Sequence, residues 1–320
     1  MPLRDSVALV TGGGGFVGAN LVRHLLADQC RVHVILRQRT HRWRLASVLE
    51  QLVVHDVDLT SAEDVRRVVR DSAPEVIFHF ARHRGDPMTL DYRAAYTHNV
   101  LATLNLLEAA AECPVRRFVH SGSSLEYDFA QSPLSESLAP APRSVHGLTK
   151  AAASTLCQQF AWTRGVPTVV LRLFTVYGPW EGHARFVPRL MMGALDDRPV
   201  KVTRARDVAH DWIYVGDVVD ACLKAAMTKG NDGEIFNVAT GRQSSNEDVV
   251  GLVEQLAQRP LCRDPEPFPE RVWDTAHWVA DVSKARERLG WTATTDLRSG
   301  LSQTLDWFRE HRALYHRHED

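Results

Sequence analysis

Seven residues near the N-terminus, Gly12-Gly13-Gly14-Gly15-Phe16-Val17-Gly18, have the composition of an anion cradle. Glycine lets a backbone turn tightly and approach a ligand closely. The segment follows an apolar run, Val7-Ala8-Leu9-Val10-Thr11, and opens a helical pattern in which Phe16, Val17, Leu21, Val22, Leu25 and Leu26 share one face. The free N–H groups at a helix start face outward, and that end of the helix favours negative charge. A pyrophosphate is the expected guest. Gly12, Gly15 and Gly18 have the spacing Gly-x-x-Gly-x-x-Gly, a variant of the dinucleotide fingerprint at a first strand–helix turn. A flexible loop can have the same composition; the place between a strand and a helix favours the dinucleotide. Phe16 and Val17 join the three glycines as cofactor-binding candidates.

The end of the second strand discriminates between the nicotinamide cofactors. An acidic residue there bonds the ribose hydroxyls of NAD, whereas an Arg accommodates the 2′-phosphate of NADP. The chain runs Val32-His33-Val34-Ile35-Leu36-Arg37-Gln38-Arg39-Thr40-His41-Arg42-Trp43-Arg44, without a carboxylate. A guanidinium fork suits a dianionic phosphate. Arg37 is therefore the candidate 2′-phosphate ligand and NADP the expected cofactor, with NAD second; a solvated basic loop is the alternative.

These residues need a scaffold, and the hydrophobic rhythm supplies one. Strand-like runs at Val7–Thr11, Val32–Leu36, Leu52–His55, Val76–His79, Phe118–Ser121 and Thr168–Leu173 alternate with helical patterns at Phe16–Ala27, Ala62–Arg70, Ala94–Ala111 and His146–Thr163. Such alternation implies right-handed parallel crossovers: an α/β fold, a Rossmann-like doubly wound parallel sheet with its ligand at the carboxyl ends of the strands. Beyond Tyr177 the rhythm loosens, with helices expected at Val215–Ala226, Asn246–Gln258, Ser283–Leu289 and Leu297–Phe308. The expected division is a dinucleotide-binding domain over 1–176 and a smaller C-terminal substrate-binding lobe over 177–320. Segments in about 205–245, Glu234–Val238 among them, are expected to return to the main sheet.

Further segments resemble the extended short-chain dehydrogenase/reductase family of sugar-nucleotide epimerases, dehydratases and ketoreductases. They are Asp58-Leu59, His79-Phe80-Ala81-Arg82, the run Asn99 to Ala109, Arg172-Leu173-Phe174-Thr175-Val176-Tyr177-Gly178-Pro179, and Asp281-x-Ser283-Lys284-Ala285 with Leu289-Gly290-Trp291. The likeness spans nearly the whole chain. It implies cofactor contacts from Asp58, Leu59, Ala81, Asn99 and Lys150, and a catalytic Ser or Thr with a Tyr-x-x-x-Lys helix. Ser123 takes the hydroxyl position and Lys150 the Lys position, but His146 stands in place of the Tyr. A spacing of four puts His146 and Lys150 on one helical face. An imidazole can do acid/base work near neutral pH, and Lys150 beside it should favour its neutral form. Tyr127 and Tyr177 are fallback donors.

The acid pair with which the family's dehydratases eliminate water is replaced by Ser124-Leu125, and Glu126, in an extended segment, should point away. Dehydration is therefore not expected. The resemblance also implies substrate contacts. Ser123 would meet the sugar. Arg271 is the candidate diphosphate ligand, and Arg206, with Arg204, stands near His210, where the family carries Arg. Arg185 sits at the mouth of the base pocket. His183, His210 and His277 lack metal-ligand spacing, so no metal is expected.

The resulting expectation is an NADPH-dependent ketoreductase of a nucleoside-diphosphate 4-keto-(6-deoxy)sugar, with Ser123 holding the carbonyl oxygen, His146 supplying the proton and Lys150 fixing the ribose. A 4-epimerase is the alternative, and a non-catalytic NADP-binding protein is a further one because of His146. The formal net charge of −1 gives no reason to expect nucleic acid or a membrane as partner. Five cysteines without a Cys-x-x-Cys pair suit free thiols in the cytoplasm, and the N-terminus opens on a strand without a leader. A homodimer through the helices over 94–111 and 146–163 is expected by analogy with the family.

Overall fold

The computed structural model describes residues 3–37, 42–83, 91–128, 132–202, 208–267 and 274–316. Seven parallel strands form the main sheet: β1 (Val7–Thr11), β2 (Arg31–Leu36), β3 (Val53–Asp56), β4 (Val76–His79), β5 (Arg117–Ser123), β6 (Thr168–Leu173) and β9 (Glu234–Val238), in the order β3-β2-β1-β4-β5-β6-β9. The order reverses between β1 and β4, so the crevice for a ligand opens there. A second sheet joins β7 (Thr175–Tyr177), β8 (Ala209–Tyr214) and β10 (Gln243–Ser245).

Alternation along the strands divides the core. Val10, Val34, Phe78, Val119 and Leu171 face one side, packing with Leu21, Val22 and Leu25 of α1 (Phe16–Ala27) and with Val218 and Cys222 of α7 (Val215–Met227). Their neighbours Leu9, Ile35, Ile77, Phe118 and Val170 face the other side. There they meet α2 (Ala62–Ser72), α4 (Ala102–Ala111) and α5 (Val145–Arg164) through Val65, Leu106, Leu107 and Cys157. Both faces are covered, as an all-parallel sheet requires. Ser144 caps α5 by accepting the Gly147 N–H at 3.0 Å, and Gly165 ends it in the left-handed region at φ 68°.

The helix expected over 94–111 is interrupted. A short α3 (Tyr92–Tyr96) passes into a π turn at Thr97–Leu101 before α4 begins. That wider turn carries Asn99, which is buried. The helix expected at Ser283–Leu289 is present, with its last five residues, Ala285–Leu289, wound as a π turn.

Beyond β8 the chain returns to the main sheet: α7 packs against it on the same face as α1, and β9 pairs with β6. A separate apolar cluster unites α6 (Phe186–Asp196), α8 (Asn246–Ala257) and α9 (Leu297–His316) around Leu190, Val250 and Phe308. The last helix is longer than the expected Leu297–Phe308 and bends at His311. Near its start, a Cβ on Gly300 would lie 2.9 Å from Cζ of the buried Tyr177 and closer still to the phenol oxygen. Gly300→Ala should therefore overpack this junction and cost about 1–3 kcal/mol of stability. Urea unfolding measures it, and an unchanged midpoint would show that this junction packs otherwise.

Candidate active site

The glycine turn is shaped by close approach. Gly12 has φ +70°, and a Cβ there would lie 2.5 Å from the Ala81 nitrogen at the end of β4. A Cβ on Gly18 would collide with the Gly12 carbonyl. Gly15 is the N-cap of α1 and no side chain caps it, so the amides of Phe16 and Val17 begin the helix beside the crevice. A bare helix start behind a turn with no room for side chains fits a dinucleotide pyrophosphate.

Buried polar groups lock this turn to the neighbouring strands. Ala81 N–H donates to Thr11 Oγ1 at 3.3 Å, and Thr11 Oγ1 lies 2.6 Å from His79 Nδ1. His79 Nε2 lies 2.9 Å from Thr103 Oγ1, which donates to the Asn99 carbonyl at 2.6 Å. Thr103 has spent its proton, so His79 must donate from Nε2 and accept at Nδ1 from Thr11. One neutral tautomer satisfies every group. Burial first, and then Lys150, hold the His79 proton affinity down to about 3. Asn99, a cofactor candidate from the sequence, braces the protein: its amide donates to Thr149 on α5 at 2.8 Å and its oxygen accepts the His83 N–H at 2.6 Å.

Ser123 ends β5, and its hydroxyl accepts the Leu125 N–H at 3.2 Å. His146 and Lys150 lie one turn apart on α5. The Lys150 ammonium donates to the Ser121 carbonyl at 2.6 Å and contacts Ser121 Oγ at 3.3 Å. Burial pushes Lys150 down to about 8, against the opposing pull of the Glu126 carboxylate. His146 falls further, to about 3, through burial and then the positive charges of Lys150, Arg82 and Arg185. At neutral pH the imidazole is therefore uncharged, and Lys150 still carries a transferable proton.

The fallback phenols are occupied by the fold. Tyr127 is fully buried, donates to Asn237 Oδ1 at 2.8 Å and is pushed up to about 12 by burial. Tyr177 is buried under α9, and burial raises it as well. Glu126 points away from the crevice as expected, but by a different route. Residues Ser124–Glu126 form a 3₁₀ turn rather than an extended segment, and the carboxylate pairs with Arg172 at 2.8 Å.

Of the basic residues after β2, Arg42 pairs with Asp56. Arg44 is buried and donates to the Trp180 carbonyl at 2.6 Å. Arg37 is exposed at the strand end, where its charge helps to lower the Asp58 carboxyl. Burial works against that lowering, while hydrogen bonds from Thr60 N–H and Oγ1 at 2.9 Å reinforce it. Leu59 is buried, and its carbonyl accepts from Asn105 at 2.9 Å.

Arg185 is the N-cap of α6, exposed, with its Nε 3.6 Å from the buried Glu181 carboxylate. His210 on β8 sits edge-on to Trp212. Arg204, Arg206 and Arg271 lie outside the described residues. Among the described residues, no group of three or more His, Cys, Asp or Glu is placed to hold a metal ion, and no helix is long and apolar enough to cross a membrane.

The family model for the NAD dependent epimerase/dehydratase family matches residues 8–239, and the chain belongs to that family. It is 27% identical over 335 residues to the dTDP-glucose 4,6-dehydratase of Neisseria meningitidis serogroup B, covering 96% of this chain and 94% of that one. Among solved structures, it resembles the UDP-glucose 4-epimerase of Thermotoga maritima, determined with UDP-glucose. The identity is 27% and the TM-score 0.88, with 96% and 99% of the two chains covered. The UDP-glucuronic acid 4-epimerase of Bacillus cereus, in complex with UDP-glucuronic acid and NAD, is similar at 26% identity and a TM-score of 0.84, over 95% and 99% of the chains. The chain is thus an enzyme of the extended short-chain dehydrogenase type, with relatives that act on sugar nucleotides.

The histidine that locks the turn has a measurable consequence. His79 has a proton affinity near 3 in the folded protein and about 6.5 in an unfolded chain. Below pH 6.5 the unfolded chain takes up a proton that the folded one refuses. Stability should therefore fall as pH drops from about 6.5 toward 3, by up to about 1.4 kcal/mol per pH unit from this residue. Urea unfolding at pH 7 and pH 5 reads the loss, with the His79 resonance silent across that interval. A His79 resonance that titrates near 6.5 would contradict the assignment.

Proposed function

We propose that this chain exchanges a hydride at C4 of a nucleoside-diphosphate sugar, running as an NADPH-dependent reduction of a 4-keto-(6-deoxy)sugar. The observation that supports the reading is the buried Lys150 ammonium, which shares α5 with His146 one turn away and donates to the Ser121 carbonyl on β5, two residues before Ser123. Gly12, Gly15, Gly18, Phe16 and Val17 would hold the pyrophosphate, and Asp58, Leu59 and Ala81 would border the adenine side. Arg37, exposed where no carboxylate follows β2, supports NADP. When bound, the nicotinamide gives or takes the hydride.

The chain's own residues handle the oxygen and its proton. Ser123 would donate its hydroxyl proton to the sugar oxygen. A neutral His146 can pass on its N–H proton only while receiving another, which makes Lys150 the proton reservoir. Arg185 at the start of α6 would stand at the mouth of the base pocket, with Arg206 and Arg271 assigned to the diphosphate from the sequence. A second reading, 4-epimerisation, is supported by the likeness to the two epimerases above.

The exposed Tyr92, Tyr96 and Leu101 on the α3–α4 segment, with Leu148 and Trp162 on α5, support a homodimer through these helices. Light scattering that returned a monomer would end that part of the reading.

Mixing the protein and NADPH with dTDP-, UDP- or GDP-4-keto-6-deoxysugars tests the chemistry. Loss of NADPH absorbance supports reduction, whereas conversion of UDP-hexoses without net loss supports epimerisation. Tight NADPH binding with neither outcome would leave a non-catalytic binding protein. His146→Phe should lower kcat about 10²–10⁴-fold, and kcat/KM should decline above pH 8, where Lys150 loses its proton. Full activity in that variant, or a decline centred near 6.5, would show that the proton takes another route.

A further inference from the structure

Glu126 has no part in the chemistry above, yet its carboxylate is fully buried and touches three elements at once. Oε1 accepts the Ser123 N–H at 2.8 Å and the Ser154 hydroxyl of α5 at 3.1 Å, and Oε2 accepts from Arg172 Nε of β6 at 2.8 Å. Gly122 leaves room for it, since a Cβ there would lie 2.7 Å from Oε1. A buried ion pair is weak grounds for stability, because well-packed apolar residues of similar volume do as well. The place of this pair gives it another use.

Lys150 is buried one helical turn from Ser154, and its hydrogen-bond partners on Ser121 are neutral. The titratable groups that face it are His79 and Arg82 from β4 and its extension, His120 from β5, His146 and Cys157 from α5, and Glu126 from the turn after β5. Burial keeps the three histidines neutral and holds the Cys157 thiol protonated. Glu126 is the carboxylate of this set.

We propose that Glu126 is a positioning residue for the reaction: one buried carboxylate fixes the turn that presents Ser123 and serves as the counter-charge of Lys150. The proposal rests on the reading of Ser123 and Lys150 given under Proposed function. It requires the same group to set both the hydroxyl's placement and the ammonium's proton affinity. Ser154 and Arg172 then hold the carboxylate still from opposite sides.

The test is Glu126→Gln in the full-length protein, with the double variant Glu126→Gln/Arg172→Gln. The double variant relieves the unpaired guanidinium that the single one leaves buried. Carbon NMR of protein labelled at lysine Cε follows Lys150 without any turnover. Its midpoint, about 8 in the unaltered chain, should fall by about one pH unit or more in both variants. The double variant should recover thermal stability lost in the single one but not the midpoint. The high-pH decline of kcat/KM should move down in step.

A Lys150 midpoint unmoved in the folded double variant would reduce Glu126 to a structural brace and overturn the proposal. If the midpoint moves but the unaltered protein turns over no sugar nucleotide, the functional reading fails and the placement of Glu126 stands.

Discussion

Between the first turn and the end of β4 there is no room for a side chain. Gly12 adopts a left-handed conformation there, its Cα pressed against the Phe80–Ala81 peptide, and the rest of the site takes its coordinates from that contact. Because the turn closes on β4, Thr11 reaches His79, and His79 reaches Thr103 beyond the sheet. Through Asn99 and Thr149 the same polar chain arrives at α5, next to Lys150 and about one turn from His146. A helix start bare enough for a pyrophosphate is thereby tied, bond by bond, to the helix that carries His146 and Lys150. Relaxing the first contact would loosen both ends together.

Charge in this crevice is distributed by burial. His79, His120 and His146 are kept neutral, so the positive charge facing them is concentrated on Lys150 and on the arginines at the rim. A buried ammonium with neutral hydrogen-bond partners needs an anion within reach, and Glu126 is placed for that while also holding the Ser123 turn. A neutral imidazole at position 146 keeps one ring N–H, and it becomes a ready acid only by taking up a second proton, which burial and the nearby positive charges oppose.

Much of this was legible in the sequence where it is written locally. Strand faces alternate as the apolar pattern does, and α1 starts at Phe16 because Gly15 precedes it. The family followed from motifs spread along the chain. What pattern alone missed depends on contacts between distant segments. The small sheet exists because 209–214 pairs with 175–177 on one side and with 243–245 on the other, segments far apart in the chain and the outer two only three residues long. The π turn that buries Asn99 leaves the apolar period nearly intact. Glu126 was read as part of an extended segment, although Ser123-x-x-Glu126 is the sequence of a capping box, and the structure forms that box. Arg44 belongs to the basic run after β2, yet it is buried, over the Trp43 ring and bonded to the Trp180 carbonyl.

The central claim is that the glycine turn and the Ser123–His146–Lys150 rim serve one hydride exchange at a sugar C4. NADPH carrying deuterium at both C4 positions of its nicotinamide, offered with dTDP- and UDP-4-keto-6-deoxysugars, tests it directly through mass analysis of the sugar product. The label should pass from the nicotinamide to sugar C4 with at least one of these substrates. Stoichiometric binding of cofactor and sugar nucleotide, with the deuterium retained on the nicotinamide and every ketone unreduced, would contradict it.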